Sequence, residues 1–217
     1  MDKLKRVSKA HIQYKLADGT PVPGVTTVLG VLNKPYLVKW ANNLGLQGID
    51  SNKYTDAAAK IGTLAHYMVQ CHLTGETPNF DDYSKSEIDQ AENALISFFN
   101  WEKQHDIKPI FNEKALVSLN YIFGGTVDCY AMIDGKLGLI DFKTGKAIYP
   151  EMIIQLAAYK QLLRENGYEV DNVRIIRIGR TEDEGFDEKT VTNLDTQWEL
   201  FTHLLEVYRL KKIIDKR

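Results

Sequence analysis

Hydrophobic and polar residues follow two different periods along the chain. Before residue 106 the apolar positions recur at the three-to-four-residue spacing of helices, and the last of these segments opens with a capping-box pattern from Ser84 to Glu87. A short hairpin over 11–24, with its turn at Asp18-Gly19, precedes them. The predicted helices span 25–33, 36–47, 55–73 and 84–105.

After residue 106 the pattern changes to short apolar or alternating runs separated by turn signals. Asp134-Gly135 separates two of these runs closely enough for a hairpin, and Pro150 stands where a helix can begin. A last helix is predicted from Asp195, with Glu199 completing a capping box. The predicted strands span 111–119, 122–133, 137–144, 172–180 and 186–192, and the helix at Pro150 spans 150–165.

This order of elements predicts an α/β fold in which a mixed central β-sheet is flanked by helices. The length of 217 residues suits one hydrophobic core, so we expect a single domain over 1–217. Within it, residues 1–106 form a mainly helical region and residues 107–217 form the α/β core.

The charge balance limits what the whole surface can attract. The 27 Lys and Arg residues and 29 Asp and Glu residues give a formal net charge of -2, so a polyanion must be held locally, by a basic groove or a bound metal ion. Cys71 and Cys129 are too few for a thiolate metal cluster and are expected to stay reduced. Since neither a signal-peptide pattern nor an apolar run of ~20 residues is found, we expect a soluble cytoplasmic protein without a membrane partner.

Two carboxylates fall on neighbouring strands of the predicted hairpin. The Asp134-Gly135 turn lies almost midway between Asp128 and Asp141, so both reach a similar height and can share one divalent cation. Strand alternation places Lys143 on the same face as Asp141, in an otherwise apolar strand where a lone charge is costly to bury. A metal ion or a structural ion pair can compensate that charge, and these three residues alone leave both interpretations open.

Further polar groups lie on predicted helices. Gln155 and Tyr159 are one turn apart along the apolar stripe of the helix after the meander, where a buried Gln needs partners, either in a satisfied core or at a site. In an earlier helix, His66 flanks the apolar stripe close to Gly62, whereas His72 lies within the stripe and is expected to be a core histidine. His66 suits either a ligand at the edge of a site or a packing role.

Four motifs in this order carry a family resemblance: G-T-x-x-H (Gly62 to His66), GGTVD (Gly124 to Asp128), IDFKT (Ile140 to Thr144) and QLAAY (Gln155 to Tyr159). The combination resembles the RecB-like branch of the PD-(D/E)XK nuclease superfamily. The segment VPGVTTVLGVLNKPYLVKWA resembles the leader of mitochondrial genome-maintenance exonucleases and their phage relatives. The resemblance covers about residues 20–165. Val127 replaces the proline of the superfamily name, and the four cysteines of iron–sulfur relatives are missing.

The resemblance implies a restriction-endonuclease-like core with a metal site. By position, it makes His66, Asp128 and Asp141 ligands of Mg²⁺ or Mn²⁺, together with the backbone carbonyl of Phe142. The two aspartates are thereby also catalytic residues. Glu113, on the first strand of the core, is a candidate for a supporting role around the metal.

The same resemblance assigns the remaining chemistry. Lys143 becomes the catalytic lysine, and Gln155 supports the catalytic site. Gln155 and Tyr159 match a helix motif that touches the nucleic-acid backbone. Independently of the resemblance, Lys146 is expected to bind the substrate as part of a local basic track. Other lysines that could extend a local basic track are Lys34, Lys39 and Lys160, and the aromatic residues that could stack on bases are Tyr36, Trp40, Tyr54 and Tyr67.

These roles predict a metal-dependent DNA exonuclease that acts near free ends and favours single-stranded DNA. Alternatives are a structure-specific or restriction-type endonuclease on the same core, and a DNA-binding or partner-binding subunit that retains a nuclease fold without activity. The intact set of His66, Asp128, Asp141 and Lys143 argues against the non-catalytic subunit. A regulatory protein with a structural metal is disfavoured because Lys143 has no role in it.

Overall fold

The computed structural model of the protein describes residues 12–215. Residues 1–11 and 216–217 of the predicted regions, including His11 at the start of the predicted hairpin, lie outside this range. The elements in chain order are β1 (Tyr14–Lys15), β2 (Pro21–Val22), α1 (Val25–Leu29), α2 (Pro35–Leu46), α3 (Ser51–Thr74), α4 (Lys85–Glu102), β3 (Ile107–Ser118), β4 (Phe123–Ile133), β5 (Lys136–Lys143), α5 (Pro150–Glu165), β6 (Asn172–Ile178), a 3₁₀ turn (Glu182–Glu184), β7 (Phe186–Val191) and α6 (Asp195–Ile214). They follow the predicted order, with bounds that differ by a few residues.

Capping side chains fix where two long helices begin. Asp50 accepts the backbone N–H groups of Asn52 and Lys53, so α3 begins several residues before the predicted start at 55. At α4 the capping box forms as predicted, because the Ser84 side chain accepts from the Glu87 N–H while the Glu87 carboxylate accepts from the Ser84 N–H. The two long helices α3 and α4 are therefore stabilised by capping hydrogen bonds at their first turns.

The sheet has five strands in the order β3-β4-β5-β6-β7. Neighbouring strands are antiparallel except β5 and β6, which run parallel and are connected by the α5 crossover. Asp134 and Gly135 have φ angles of 51° and 79°, the backbone that a two-residue hairpin turn requires. The sheet is therefore mixed, as predicted.

Helices cover both faces of this sheet. One apolar cluster joins α1, α5 and α6 to one face, and a second cluster joins α3 and α4 to the other. Leu139 and Ile140, neighbours in β5, belong to opposite clusters, as strand alternation requires. The predicted fold class, a mixed sheet flanked by helices with a helical N-terminal region, is confirmed.

Two local predictions are wrong. The His72 side chain is 39% exposed, and its Nε2 atom lies 2.8 Å from Glu102 Oε2, because α4 ends beside the last turn of α3 and presents a carboxylate there. The capping box predicted for α6 does not form, since the N-cap is Leu194 and makes no side-chain cap bond. Instead, Asn193 Oδ1 accepts the Asp195 N–H at 2.8 Å.

Within 12–215, no helix combines the length and apolar character that a membrane crossing needs.

Cys71 and Cys129 are buried free thiols, in agreement with the expectation that both are reduced. Desolvation raises the pKa of the Cys129 thiol, which keeps it protonated and unreactive.

Candidate active site

Asp128 of β4 and Asp141 of β5 are buried aspartates on adjacent strands of the sheet. The β4–β5 ladder ends at the Cys129–Ile140 pair, and each aspartate is the next residue beyond that pair on its own strand. Their exposed fractions are only 4% and 0%. The tight turn thus places both aspartates just beyond the end of the β4–β5 ladder, where burial makes their charge costly.

The alternation of β4 is interrupted at Asp128. Val127 belongs to the cluster beneath α5, whereas Cys129, two residues later, belongs to the cluster beneath α3 and α4. Because residues two apart in a regular strand share a face, the backbone changes phase between them. On β3, Glu113 lies between the residues paired with Val127 and Cys129, and its φ of 48° is left-handed. Such a backbone is uncommon for a residue with a side chain and re-aims the side chain out of the regular pleat.

His66 of α3 completes a compact group of donors. Its Nδ1 atom lies 3.5 Å from Asp128 Oδ2, and the same carboxylate oxygen accepts the Phe142 backbone N–H at 2.9 Å. One ligand atom each of His66, Glu113 and Asp128 lie within 4.8 Å of one another. The hydrogen bond from Phe142 fixes the Asp128 carboxylate, so the donor group has a defined geometry.

The chemistry of this donor group fits a divalent metal ion. Two carboxylates and one imidazole converge, and Asp141, which is not one of this group, is fully buried and paired with Lys143. Carboxylate oxygens are the preferred ligands of hard divalent cations, and imidazole is an accepted additional ligand. Burying this much negative charge without a cation nearby is costly, so the cluster suits a cation better than it suits a packed core.

Two glycines allow neighbouring elements to approach the cluster. A Cβ atom on Gly62 of α3 would lie 2.6 Å from Thr144 Oγ1, in the loop that follows β5. A Cβ atom on Gly125 of β4 would lie 2.7 Å from Cε1 of the Tyr159 ring. Glycine at these positions lets α3 and α5 pack closely enough to carry His66 and Tyr159 to the same cleft.

Lys143 lies beside Asp141 at the end of β5. Its Nζ atom is 2.5 Å from Asp141 Oδ2, and its side chain is 18% exposed, against 0% for Asp141. Phe142, between them, points to the opposite face and packs in the cluster beneath α3 and α4. The ammonium group is therefore held at the mouth of the site by a carboxylate that has no solvent exposure.

Gln155 and Tyr159 of α5 form the far wall of the same cleft. Gln155 Nε2 donates a hydrogen bond of 2.7 Å to the Tyr159 hydroxyl. The cleft has a volume of about 280 Å³. Its lining brings together residues from all four sequence motifs: His66, Gly125, Thr126, Asp128, Phe142, Lys143, Thr144, Gln155 and Tyr159, with Tyr14, Val25 and Thr26 at its edge.

Lys146 does not line this cleft. It lines a neighbouring cleft of about 590 Å³, together with Tyr54 and Arg180. Arg180 is itself paired with Glu184 at 2.6 Å, so the cationic contribution of this second cleft is partly neutralised. The structure thus separates Lys146 from Gln155 and Tyr159, with which the sequence analysis grouped it.

Helix α2 bridges the N-terminal ends of α5 and α3. In the first turn of α2, Tyr36 stacks on Tyr149 with ring centroids 6.3 Å apart, and one turn later Trp40 meets Tyr54 edge to face at 5.8 Å. None of the α2 residues is buried. Of the aromatic residues considered for base stacking, Tyr36, Trp40 and Tyr54 are exposed, whereas the Tyr67 hydroxyl accepts the Asn79 N–H and is used within the fold.

Glu151 holds the α5 end of this bridge. Its carboxylate lies 2.8 Å from Lys34 Nζ and accepts a 2.9 Å hydrogen bond from the Tyr36 hydroxyl. Desolvation raises the pKa of Glu151, but the hydrogen bonds from Lys34 and Tyr36 outweigh it and the net pKa is lowered. Glu151 therefore stays ionised near neutral pH and ties α2 to α5.

Glu113 lies closer to the other donors than its sequence context predicts. It was expected only to support the metal site, but its carboxylate converges with His66 and Asp128. The left-handed backbone that aims it there carries no sequence signal, because Glu113 is neither Gly nor Asn. Its place opposite Asp128 becomes evident only once the pairing of β3 with β4 is known.

The two histidines of α3 provide a matched pair of variants. We expect His66→Ala to weaken Mn²⁺ binding by at least about tenfold, because it removes a donor from the cluster. His72→Ala should leave Mn²⁺ affinity unchanged and lower Tm, since the His72 ring packs 4.7 Å from the Phe99 ring. Titration of Mn²⁺ into both purified variants decides this, and equal affinities would return His66 to a packing role.

No protein-family model matches the sequence, and no curated protein matches it either. Solved structures with similar folds include a candidate exonuclease from Eubacterium rectale, with 14% identity and a TM-score of 0.48, covering 70% of this chain and 65% of the other. The alkaline exonuclease of Laribacter hongkongensis has 12% identity and a TM-score of 0.42, covering 73% and 86%, and was also solved with dAMP. The chain thus spans less than two thirds of the first of these proteins.

Proposed function

We propose that the protein is a metal-dependent DNA exonuclease that hydrolyses phosphodiester bonds near free ends and favours single-stranded DNA. The observation that carries this proposal is the convergence of His66, Glu113 and Asp128, with His66 and Asp128 lining a cleft that Lys143 also lines. Two kinds of charge meet here: the Asp128 carboxylate, which lines the cleft and converges with Glu113, and the Lys143 ammonium, which lines the same cleft. An ion pair between Lys143 and Asp141 alone would not require the further donors His66 and Glu113.

We assign the metal site to Glu113, Asp128, Asp141 and His66, with the Phe142 carbonyl as a further donor, and Mg²⁺ or Mn²⁺ as the ion. Oxygen donors dominate this set and thiolates are missing from it, which favours Mg²⁺ or Mn²⁺ over softer metals. When bound, such an ion supplies Lewis-acid charge to the scissile phosphate. The remaining chemistry belongs to the side chains around it.

Lys143 acts on the phosphate and the attacking water. As water forms its bond to phosphorus and the bond to the leaving sugar oxygen breaks, negative charge grows on the phosphoryl oxygens. An ammonium held by Asp141 within the cleft stabilises that charge and orients the water, and it is already in place before the reaction.

Gln155 and Tyr159 position the substrate backbone. Their mutual hydrogen bond fixes both side chains on one helix face, which leaves the second Gln155 amide hydrogen and the Gln155 carbonyl for further partners. The Tyr159 ring lies over Gly125, so its position is set by packing. We infer that this pair binds a phosphate next to the scissile one.

The bridge formed by α2 supports entry of the strand by its end. It joins the beginnings of α5 and α3 through exposed aromatic rings and the Lys34–Glu151 ion pair. Aromatic side chains that line a path beside a metal site can stack on successive bases of a single strand. A duplex is wider than a single strand, and a closed circle has no end to thread beneath a bridge.

We therefore expect linear single-stranded DNA to be shortened progressively in Mg²⁺, whereas covalently closed single-stranded circles of the same sequence stay intact. The measurement is denaturing electrophoresis of end-labelled linear DNA and internally labelled circles over one time course. A linear duplex of the same sequence shows the strand preference, and a chelator lane is the control. Rapid linearisation of the circles would show that the cleft is open laterally, and an endonuclease would then be the better assignment.

A further inference from the structure

Helix α6 has a second apolar face that nothing in the described part of the chain covers. Its inner face, with Phe201, Leu204 and Leu205, packs into the core. A separate stripe of apolar residues is exposed by 41% to 68%: Leu200, Val207, Leu210 and Ile214. Exposed apolar side chains that recur along one helix face are typical of an interaction surface rather than of solvent-exposed positions.

The spacing of this stripe is that of a coiled-coil seam. Leu200, Val207 and Ile214 are seven residues apart, and Leu210 stands three residues after Val207. In heptad terms the first three occupy a positions and Leu210 occupies a d position, with the exposed His203 at the preceding d. A helix with this pattern buries its seam against a second helix that runs alongside it.

Charges flank the seam in a pattern that selects the partner. Glu206 holds the g position before Val207, and Lys211 holds the e position five residues later. In a parallel pair of helices, a g residue faces the e residue of the following heptad on the other helix. If the second helix is another α6, Glu206 of each copy meets Lys211 of the other. An antiparallel pair instead sets g against g and e against e, which opposes like charges.

We propose that the protein forms a two-fold symmetric homodimer through a parallel pairing of α6, with Leu200, Val207, Leu210 and Ile214 in the seam. The surface is complementary to itself in both apolar pattern and charge, which an isologous interface requires. The α6 helix of 20 residues is about 30 Å long, and the stripe extends from Leu200 to its last residue, Ile214. The pairing involves none of the side chains assigned to hydrolysis, so the dimer and the nuclease assignment stand or fall separately.

The first test is the mass of the protein in solution by sedimentation equilibrium. The wild type is expected at twice the 24.7 kDa of one chain, with a Kd on the order of micromolar. Val207→Glu combined with Leu210→Glu should give a monomer with an unchanged circular dichroism spectrum. The control is Ile96→Glu, which changes a residue of α4 that is 57% exposed and should leave the dimer intact. A wild type that stays monomeric at about 100 μM, or a dimer lost equally in Ile96→Glu, overturns the proposal.

The second test is a charge exchange that reports the pairing direction. Glu206→Lys and Lys211→Glu should each raise the dimer Kd by about tenfold, because each replaces two attractive contacts by two repulsive ones. The double variant Glu206→Lys with Lys211→Glu should restore the wild-type Kd to within about threefold, since the exchanged charges again face each other. Failure of the double variant to recover dimerisation would exclude the parallel pairing.

Discussion

Lys143→Ala is expected to lower kcat for DNA hydrolysis by about 10²–10³-fold, the usual cost of removing one group that stabilises charge in the transition state. Mg²⁺ and DNA binding should change little, because the negative charge that Lys143 stabilises develops during bond breaking. The buried Asp141 carboxylate loses its 2.5 Å partner, so metal affinity should rise slightly rather than fall. Asp141→Ala, in contrast, should lose the metal together with activity.

Lys146→Ala is the matched control for this variant. Lys146 lies three residues further along the same chain segment but lines the neighbouring cleft, so its loss should raise KM for DNA with little change in kcat. Single-turnover rates measured over a range of DNA concentrations, together with metal titrations, separate these outcomes for the purified Lys143→Ala, Asp141→Ala and Lys146→Ala proteins. Unchanged hydrolysis by Lys143→Ala would remove the catalytic assignment of Lys143.

Asp128→Asn is the second substitution with a large expected effect. The amide keeps an oxygen that can accept the Phe142 N–H, so the local fold should survive. It removes the negative charge that stands next to both His66 and Glu113. Metal affinity should fall by a factor on the order of 100 or more, since even the partners that merely orient metal ligands contribute 10- to 100-fold. Hydrolysis should fall with it and recover only partly at high Mg²⁺ concentration.

Asp134→Asn provides the control on the same hairpin. Asp134 is an acid at the far end of the β4–β5 pair, bonded to His105 at 2.7 Å, and its left-handed φ of 51° suits Asn equally well. Calorimetric titration with Mn²⁺ should therefore give wild-type affinity for Asp134→Asn. Equal affinities for both variants would mean that Asp128 is not a ligand.

The register of the β4–β5 hairpin was predictable because it depends on local chemistry. Asp134-Gly135 specifies a two-residue turn, and counting outward from a two-residue turn fixes which residues face each other. The ladder follows this count as far as Cys129 and Ile140, the residues next to Asp128 and Asp141, where it ends. Strand alternation then places Lys143 with Asp141 and separates both from Phe142.

The sequence was less informative where the backbone departs from regular geometry or a partner comes from far along the chain. The phase change at Asp128 and the left-handed Glu113 depend on how β3 meets β4, and no local pattern encodes them. His72 follows the apolar stripe of its own helix, but its environment is decided by Glu102, 30 residues away. Tertiary contacts overrode the helical period there.

The most direct test of a metal-dependent phosphodiesterase is hydrolysis of end-labelled linear single-stranded DNA by the wild-type protein before chelation, after chelation and after readdition of metal. Exhaustive chelation in metal-free buffer should abolish cleavage and leave the circular dichroism spectrum essentially unchanged, and Mg²⁺ or Mn²⁺ should restore the rate. Cleavage that persists after chelation would contradict the assignment of Asp128 and Asp141 as metal ligands.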